Sequence, residues 1–295
     1  MTEVIELWPL DRWPDGPPTD LGEIPPESSF VLDEGAAAGA PMLRNISEAS
    51  LTVFPPDAGT ANGKGVIVVP GGGWTINAWT HEGLDVATWL NELGYTAFVL
   101  KYRVQASPAD PEEFAAIQAA SDGLLSRPIP HADKPTAIGD LIDTDAYHRA
   151  RAAAADDGRR AIEVVRAEAE RFGIDGDALG MVGFSAGAFL IVDIALDPRA
   201  DQVAWIAPIY GGETQGASVP ADAPPLFTAV AQDDLLVRIV EGLHRDWVAA
   251  DRSAEFHEFR RGGHGFGMTP LGLPSDSWAD LLVTWMRDLD ADASA

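Results

Sequence analysis

The sequence predicts an α/β fold in which a mostly parallel central sheet carries helices on both faces. Three observations lead there. Gly65–Pro70 (GVIVVP) and Tyr95–Tyr102 (YTAFVLKY) are nearly continuous apolar runs, which suit strands buried on both faces. Stretches of helical periodicity separate such runs, giving the strand–helix–strand order of a parallel sheet. From Met181 to Ala188 an apolar run turns sharply on Gly183-Phe184-Ser185-Ala186-Gly187 and continues as a helix to Leu196. No internal repeat or linker divides the 295 residues. One large core is within reach of such a chain, so 1–295 is expected to form a single domain.

The elements follow in order. Residues 1–45 are rich in Pro and acids but keep Trp8 and Trp13, so an irregular arm packed through its tryptophans is expected. Ile46–Phe54 reads as a strand and Gly65–Pro70 as the next, ending in Gly71-Gly72-Gly73-Trp74. A helix over Thr80–Leu93, stopped by Gly94, leads to the strand at Tyr95–Tyr102. Residues 104–143 then interrupt the rhythm, because a crossover needs far fewer than ~40 residues. Within this insertion Pro111–Leu125 has the length of a short helix, and the whole segment is a candidate lid or pocket wall. The long helix Thr144–Phe172 places Ile162, Val165, Ala169 and Phe172 on one face, and Gly173 ends it. Strands at Leu179–Gly183, Val203–Ile209, Pro225–Ala231 and Ala254–Phe259 follow, with helices at Val237–Ala250 and Ser277–Leu289.

Composition narrows the function. Twenty Lys and Arg against 46 Asp and Glu give a net charge of −26, a surface that repels nucleic acids and anionic membranes. Cysteine is absent, which excludes disulfides, thiolate catalysis and Cys-ligated metals. The N-terminus carries acids where a signal peptide has basic residues, and no apolar run approaches the ~18 residues of a membrane span. A soluble, cytoplasmic protein is expected. His81, His131, His148, His244 and His257 show no metal-ligand spacing and read as surface or core residues, so neither metal nor cofactor is expected.

Three polar residues fall just after strand ends, in the order Ser185, Asp233 or Asp234, and His264. Ligand sites of open α/β sheets lie at the carboxyl ends of the strands, so residues distant in sequence converge there. Serine is a weak nucleophile and needs an adjacent base. Imidazole, with a pKa near ~6.5, takes that proton and returns it to a leaving group. A carboxylate holds the imidazole tautomer and stabilises the imidazolium. Gly71–Gly73 lets backbone N–H groups approach a substrate, and Ala186 N–H, on the nucleophile turn, supplies a second arm of an oxyanion hole. The glycine run is not a phosphate loop, since neither Gly-x-Gly-x-x-Gly nor a Gly-Lys-Ser/Thr ending is present. Trp74, Trp79, Tyr210 and Phe266 border the candidate site, either as pocket lining or as aromatic core.

Pro70-Gly71-Gly72-Gly73-Trp74, Gly183–Gly187, Asp234-Leu235-Leu236-Val237 and Gly263-His264-Gly265-Phe266 together resemble α/β-hydrolase carboxylesterases of the acetylxylan-esterase and feruloyl-esterase-like type. The similarity spans residues 65–270, and the Trp8-Pro9 arm is weakly similar too. It implies Ser185 as nucleophile, His264 as base and Asp234 as the orienting acid, since the family's acid precedes two residues and a valine. It also implies an oxyanion hole from Gly72, Gly73 and Ala186; Trp74, Tyr210 and Phe266 are candidate substrate contacts by their position beside the site, not by the resemblance. Three features depart from the pattern. Pro70 stands where hormone-sensitive-lipase relatives have His, Ala188 stands where many members have Gly, and the 104–143 insertion is long.

The expected function is hydrolysis of short-chain carboxylic esters, such as acetylated sugars or xylo-oligosaccharides, through an acyl-enzyme. The expected partner is a small-molecule ester, not a nucleic acid or a membrane. The alternatives are a prolyl-oligopeptidase-like peptidase, against which the lack of a propeller-sized domain weighs, and a non-catalytic binding protein of the same fold.

Overall fold

The computed structural model describes residues 3–31 and 39–293. Its elements are β1 (Glu3–Glu6), β2 (Ser28–Val31), β3 (Pro41–Arg44), β4 (Ser50–Phe54), β5 (Gly65–Val69), β6 (Ile76–Asn77), α1 (Asp85–Glu92), β7 (Thr96–Lys101), α2 (Pro111–Leu125), α3 (Asp145–Ala167), α4 (Ala169–Phe172), β8 (Leu179–Phe184), α5 (Ala186–Leu196), β9 (Trp205–Ile209), β10 (Leu226–Ala231), α6 (Val237–Ala249), β11 (Ala254–Phe259) and α7 (Trp278–Ala293). Eight strands form one sheet in the order β1-β4-β7-β5-β8-β9-β10-β11. From β7 to β11 neighbouring strands run parallel, while β4 and β1 extend the β7 edge antiparallel.

The apolar runs serve two cores because successive strand residues point to opposite faces. Ile67, Val69, Phe98, Leu100 and Met181 join α3 and α5 on one face. Val66, Val68, Val99, Val182 and Phe184 meet α1 and α7 on the other. Both faces are dry, which is why these strands show no polar alternation. Among the described residues no helix is long and apolar enough to cross a membrane.

Most elements fall within a few residues of their sequence positions, and α2 and β11 match them in full. Two expectations are corrected. The strand expected from Ile46 begins at Ser50, because Asn45 takes a left-handed φ of 56° and turns the chain. Ile46 is still buried, and its carbonyl accepts a bond from Val104 N–H outside the ladder. The arm is not irregular throughout. It supplies the edge strand β1, and β2 and β3 form a small antiparallel sheet with β6. Its residues 1–2 and 32–38 lie outside the described residues.

A buried ion pair bolts the arm to the core. Trp8 Nε1 donates to Asp157 at 2.7 Å, and Asp157 also accepts from Arg103 Nε and Arg103 N–H. Arg103 in turn donates to the Thr19 carbonyl at 2.6 Å. The tryptophans therefore pack as expected: Trp8 meets Trp13 edge to face, and Arg160 covers Trp13 at 3.9 Å.

The 104–143 segment is fastened at both ends. Asn45 Oδ1 accepts from Ser107 N–H and Oγ–H, while Arg44 donates to the Pro108 and Ala109 carbonyls. Toward the other end Lys134 and Ile138 are tied down as described below. Between them α2, capped by Asp110, is almost wholly exposed and buries only Phe114, against Met42, Ile76 and Phe30.

Candidate active site

Ser185 sits between β8 and α5 with φ 47° and ψ −115°, a conformation few non-glycine residues adopt. Such a turn is maintained only when its surroundings enforce it, and the flanking glycines show how. A Cβ on Gly183 would lie 2.4 Å from the Gly187 carbonyl oxygen, and one on Gly187 would lie 2.1 Å from that of Val69. Neither space admits a side chain, so α5 packs tightly over the ends of β8 and β5. Ser185 N–H is held by the Ile209 carbonyl at 3.0 Å.

The turn presents Ser185 Oγ to His264 Nε2 at 2.8 Å, and His264 Nδ1 lies 2.9 Å from Asp234 Oδ2. A carboxylate only accepts, so Nδ1 carries the proton and Nε2 is left to accept from the serine hydroxyl. Asp234 is fully buried, and its other oxygen accepts Leu236 N–H at 2.7 Å. Asp233 has a different place: its Oδ1 accepts from Gly262 and Gly263 N–H at 3.0 and 2.8 Å, steadying the loop that carries His264. Burial alone lowers the His264 pKa, but the charge and hydrogen bond of Asp234 outweigh it. With a further contribution from the charge of Glu82, the imidazole lies above its ordinary value.

The glycine loop after β5 rests on the same turn. A Cβ on Gly71 would fall 2.9 Å from Ser185 Cβ and 2.8 Å from the Phe184 oxygen. Gly72 has φ +128° and 2.2 Å to the Ile76 oxygen at the Cβ position, so only glycine fits there. Gly71 N–H is occupied, donating to Glu82 Oε2 at 2.7 Å. Among the described residues the N–H groups of Gly72 and Gly73 have no partner in the chain, and Ala186 N–H opens α5 among the unpaired donors of its first turn.

The aromatic residues expected at the border lie inside the core. Trp74, Tyr210 and Phe266 are 3%, 0% and 1% exposed. Trp74 packs on Tyr147 and Phe189, and Tyr210 packs on Phe266 and on the His264 ring at 5.2 Å. They back the site and present little surface to a ligand. Trp79 is half-buried against the second core.

Two buried charges escaped sequence reasoning. Lys134, in the insertion, donates to the carbonyls of Gln232 and Asp234 at 2.6 and 2.7 Å. Arg238 then clasps the Ala132 and Lys134 carbonyls, and Glu213 accepts Ile138 N–H. Glu82 is 3% exposed and takes both Gly71 N–H and, at 2.6 Å, Tyr210 O–H. One lysine among the insertion's charges and one acid opening a helix carry no periodic signal. The available hint for Glu82 was its place on the helix that follows the glycine loop.

A cavity of about 470 Å³ lined by Arg151, Asp193, Asp197 and Thr214 lies at the far end of α5, about 12 Å of helix from Ser185. Arg151 is engaged there by Asp193, Glu213 and Tyr147. Among the described residues no group of three or more His, Asp or Glu is placed to hold a metal ion.

The model of the dienelactone hydrolase family matches residues 50–270. The chain is 23% identical over 284 residues to an acetylxylan esterase of Xylanibacter ruminicola, covering 84% of this chain and 50% of that protein. It thus spans about half the length of the curated relative it matches. Among solved structures, an acetyl ester-xyloside bifunctional hydrolase from Caldicellulosiruptor lactoaceticus superposes with a TM-score of 0.59 at 20% identity, covering 91% of this chain and 98% of that one. The α/β hydrolase MGS-M1, from a Medee basin deep-sea metagenome library, gives 0.57 at 18% identity, covering 90% and 97%. The resemblance read from the sequence is borne out, and the expectation of a carboxylic ester hydrolase agrees with it. By its match over residues 50–270, this chain belongs to the dienelactone hydrolase family, and it carries the α/β-hydrolase fold.

Proposed function

We propose that this protein is a serine carboxylesterase that hydrolyses short-chain esters, with acetyl groups on sugars as the favoured substrates. The observation that carries the reading is the hydrogen-bonded series Ser185–His264–Asp234, at 2.8 and 2.9 Å, beside three backbone N–H groups that have no partner among the described residues. His264 Nε2 takes the Ser185 proton as Oγ attacks the ester carbon. Negative charge then develops on the carbonyl oxygen and is met by the N–H groups of Gly72, Gly73 and Ala186. The alcohol leaves with the proton from His264, and water repeats the steps on the acyl-enzyme to release the acid. Asp234 keeps the imidazole in its acting tautomer and balances the imidazolium.

Sugar acetates are favoured because the similar proteins bear the names acetylxylan esterase and acetyl ester-xyloside hydrolase. A small acyl group is favoured because Trp74, which ends the glycine loop, packs on Tyr147 and on Phe189 of the nucleophile helix α5, and all three rings are at most 3% exposed, leaving little space for a long chain there. Residues 104–143, clasped by Lys134, Arg238 and Glu213, act in this reading as a wall beside the entrance. In a p-nitrophenyl ester series from acetate to octanoate, kcat/KM should be highest at the short end, and acetylated xylo-oligosaccharides should release acetate. A rate peaking at octanoate would contradict the small acyl site.

A further inference from the structure

Glu82 stands out among the buried groups that the proposed reaction does not use. It follows the glycine loop in a π-helical turn (Thr80–Leu84) that leads into α1. Oε2 accepts Gly71 N–H at 2.7 Å, and Oε1 accepts Tyr210 O–H at 2.6 Å. The Tyr210 oxygen in turn accepts Gly267 N–H at 3.1 Å. Gly71 opens the loop proposed to bind the oxyanion, Tyr210 directly follows β9 with a strained φ of 42°, and Gly267 closes the loop that carries His264. One carboxylate therefore joins three segments that must keep register with one another.

A purely structural role explains this poorly. A carboxylate this deep pays a large desolvation cost, and apolar replacements of buried charges are often neutral or stabilising. Glu82 has no Lys or Arg partner among the described residues; its nearest basic group is His81 Nε2 at 3.7 Å. The charge is thus left free to act on the neighbouring imidazole, toward the sign that forms when His264 takes the serine proton.

We infer that Glu82 is a positioning residue, which locks the oxyanion loop to the histidine loop and adds a second negative charge behind the imidazolium. This rests on the serine-esterase reading above. The groups facing His264 are Ser185, Asp234, the Tyr210 ring and, at longer range, Glu82 with His81 beside it, while Lys134 lies on the backbone of the acid loop. Of these only Asp234 and Glu82 favour the charged ring, and Glu82 can be altered without touching the Ser185–His264–Asp234 series.

The test uses the full chain with p-nitrophenyl acetate, kcat and KM measured across pH, and the His264 ring titration followed by NMR. Glu82→Gln should lower kcat about tenfold or more with KM changed less than about twofold. The acid limb of kcat/KM and the ring titration should both move down by about half a unit to one unit, because a charge favouring imidazolium is gone. Glu82→Asp should leave both midpoints near wild type, since it keeps the charge. If Glu82→Gln does not fold, Tyr210→Phe, which keeps the charge and breaks the link to Gly267, should lower kcat with the acid limb unmoved. A folded Glu82→Gln with wild-type kcat and an unmoved titration would overturn the inference, as would wild-type kcat in Tyr210→Phe. A wild-type protein without esterase activity would overturn the esterase reading instead, and the NMR titration would still decide whether Glu82 acts on His264.

Discussion

At the scale of single residues, the account rests on how His264 is surrounded. Burial would favour the neutral ring, yet Asp234 at 2.9 Å and the charge of Glu82 prevail and hold its pKa above the ordinary imidazole value. The sign follows directly. The base must be neutral to accept the Ser185 proton, so activity is present above the raised pKa and is lost as pH falls through it. The acid limb of kcat/KM is therefore expected above the ~6.5 of a free imidazole. A rate profile that stays flat down to about pH 5 would show that no such histidine is the base. The choice between Asp233 and Asp234 shows where residue-level reading stopped. Residue chemistry alone does not tell two adjacent acids after one strand apart; the resemblance favoured Asp234, and the side-chain directions supply the physical difference: Asp234 meets Nδ1, while Asp233 meets the glycine amides.

At the scale of elements, legibility followed the length of the hydrophobic pattern. β5, β8 and β10 are buried throughout, β7 is buried up to its terminal Lys101, and all four were readable because both of their faces are dry. β1 was not, since Glu3-Val4-Ile5-Glu6 is short, flanked by acids and mostly exposed, and it owes its pairing to the free edge of β4. Nor was the small β2-β3-β6 sheet, because two-residue β6 exists only where the glycine loop delivers it. The candidate site was more legible than its supports. Ser185, His264 and the glycine run stand at strand ends in a recognisable order, whereas Glu82 and Lys134 act through tertiary contacts alone. The arm offers a test at this scale. Asp157→Ala leaves the Arg103 guanidinium buried without its partner, and removing one side of a buried pair costs about 3–5 kcal/mol. Denaturant unfolding should show that loss, and limited proteolysis should cut the N-terminal arm before the remainder of the chain. Wild-type stability with an equally resistant arm would mean that the Trp8–Asp157–Arg103 cluster does not anchor it.

For the whole molecule, charge dominates. With 46 acids and 20 Lys and Arg, most carboxylates have no cationic partner to neutralise them. Exposed ion pairs are worth about 0–1 kcal/mol each, so screening them costs little, whereas screening a net charge of −26 relieves repulsion across the entire surface. The thermal midpoint should therefore rise as salt is added from low ionic strength to about 0.5 M. A midpoint that falls would show that the ion pairs outweigh the net repulsion. The same field has a functional side, because it favours neutral ligands over anionic ones at the carboxyl ends of the strands, where the proposed ester site lies.

That site makes one central claim, that the Ser185 oxygen is an activated nucleophile. The measurement that meets it most directly is reaction of the folded protein with a fluorophosphonate probe, followed by mapping of the modified peptide by mass spectrometry. The account predicts a single adduct on Ser185, formed in the wild type, abolished in Ser185→Ala and strongly slowed in His264→Ala. An unmodified Ser185 in folded wild-type protein, or labelling that persists in Ser185→Ala, would contradict it.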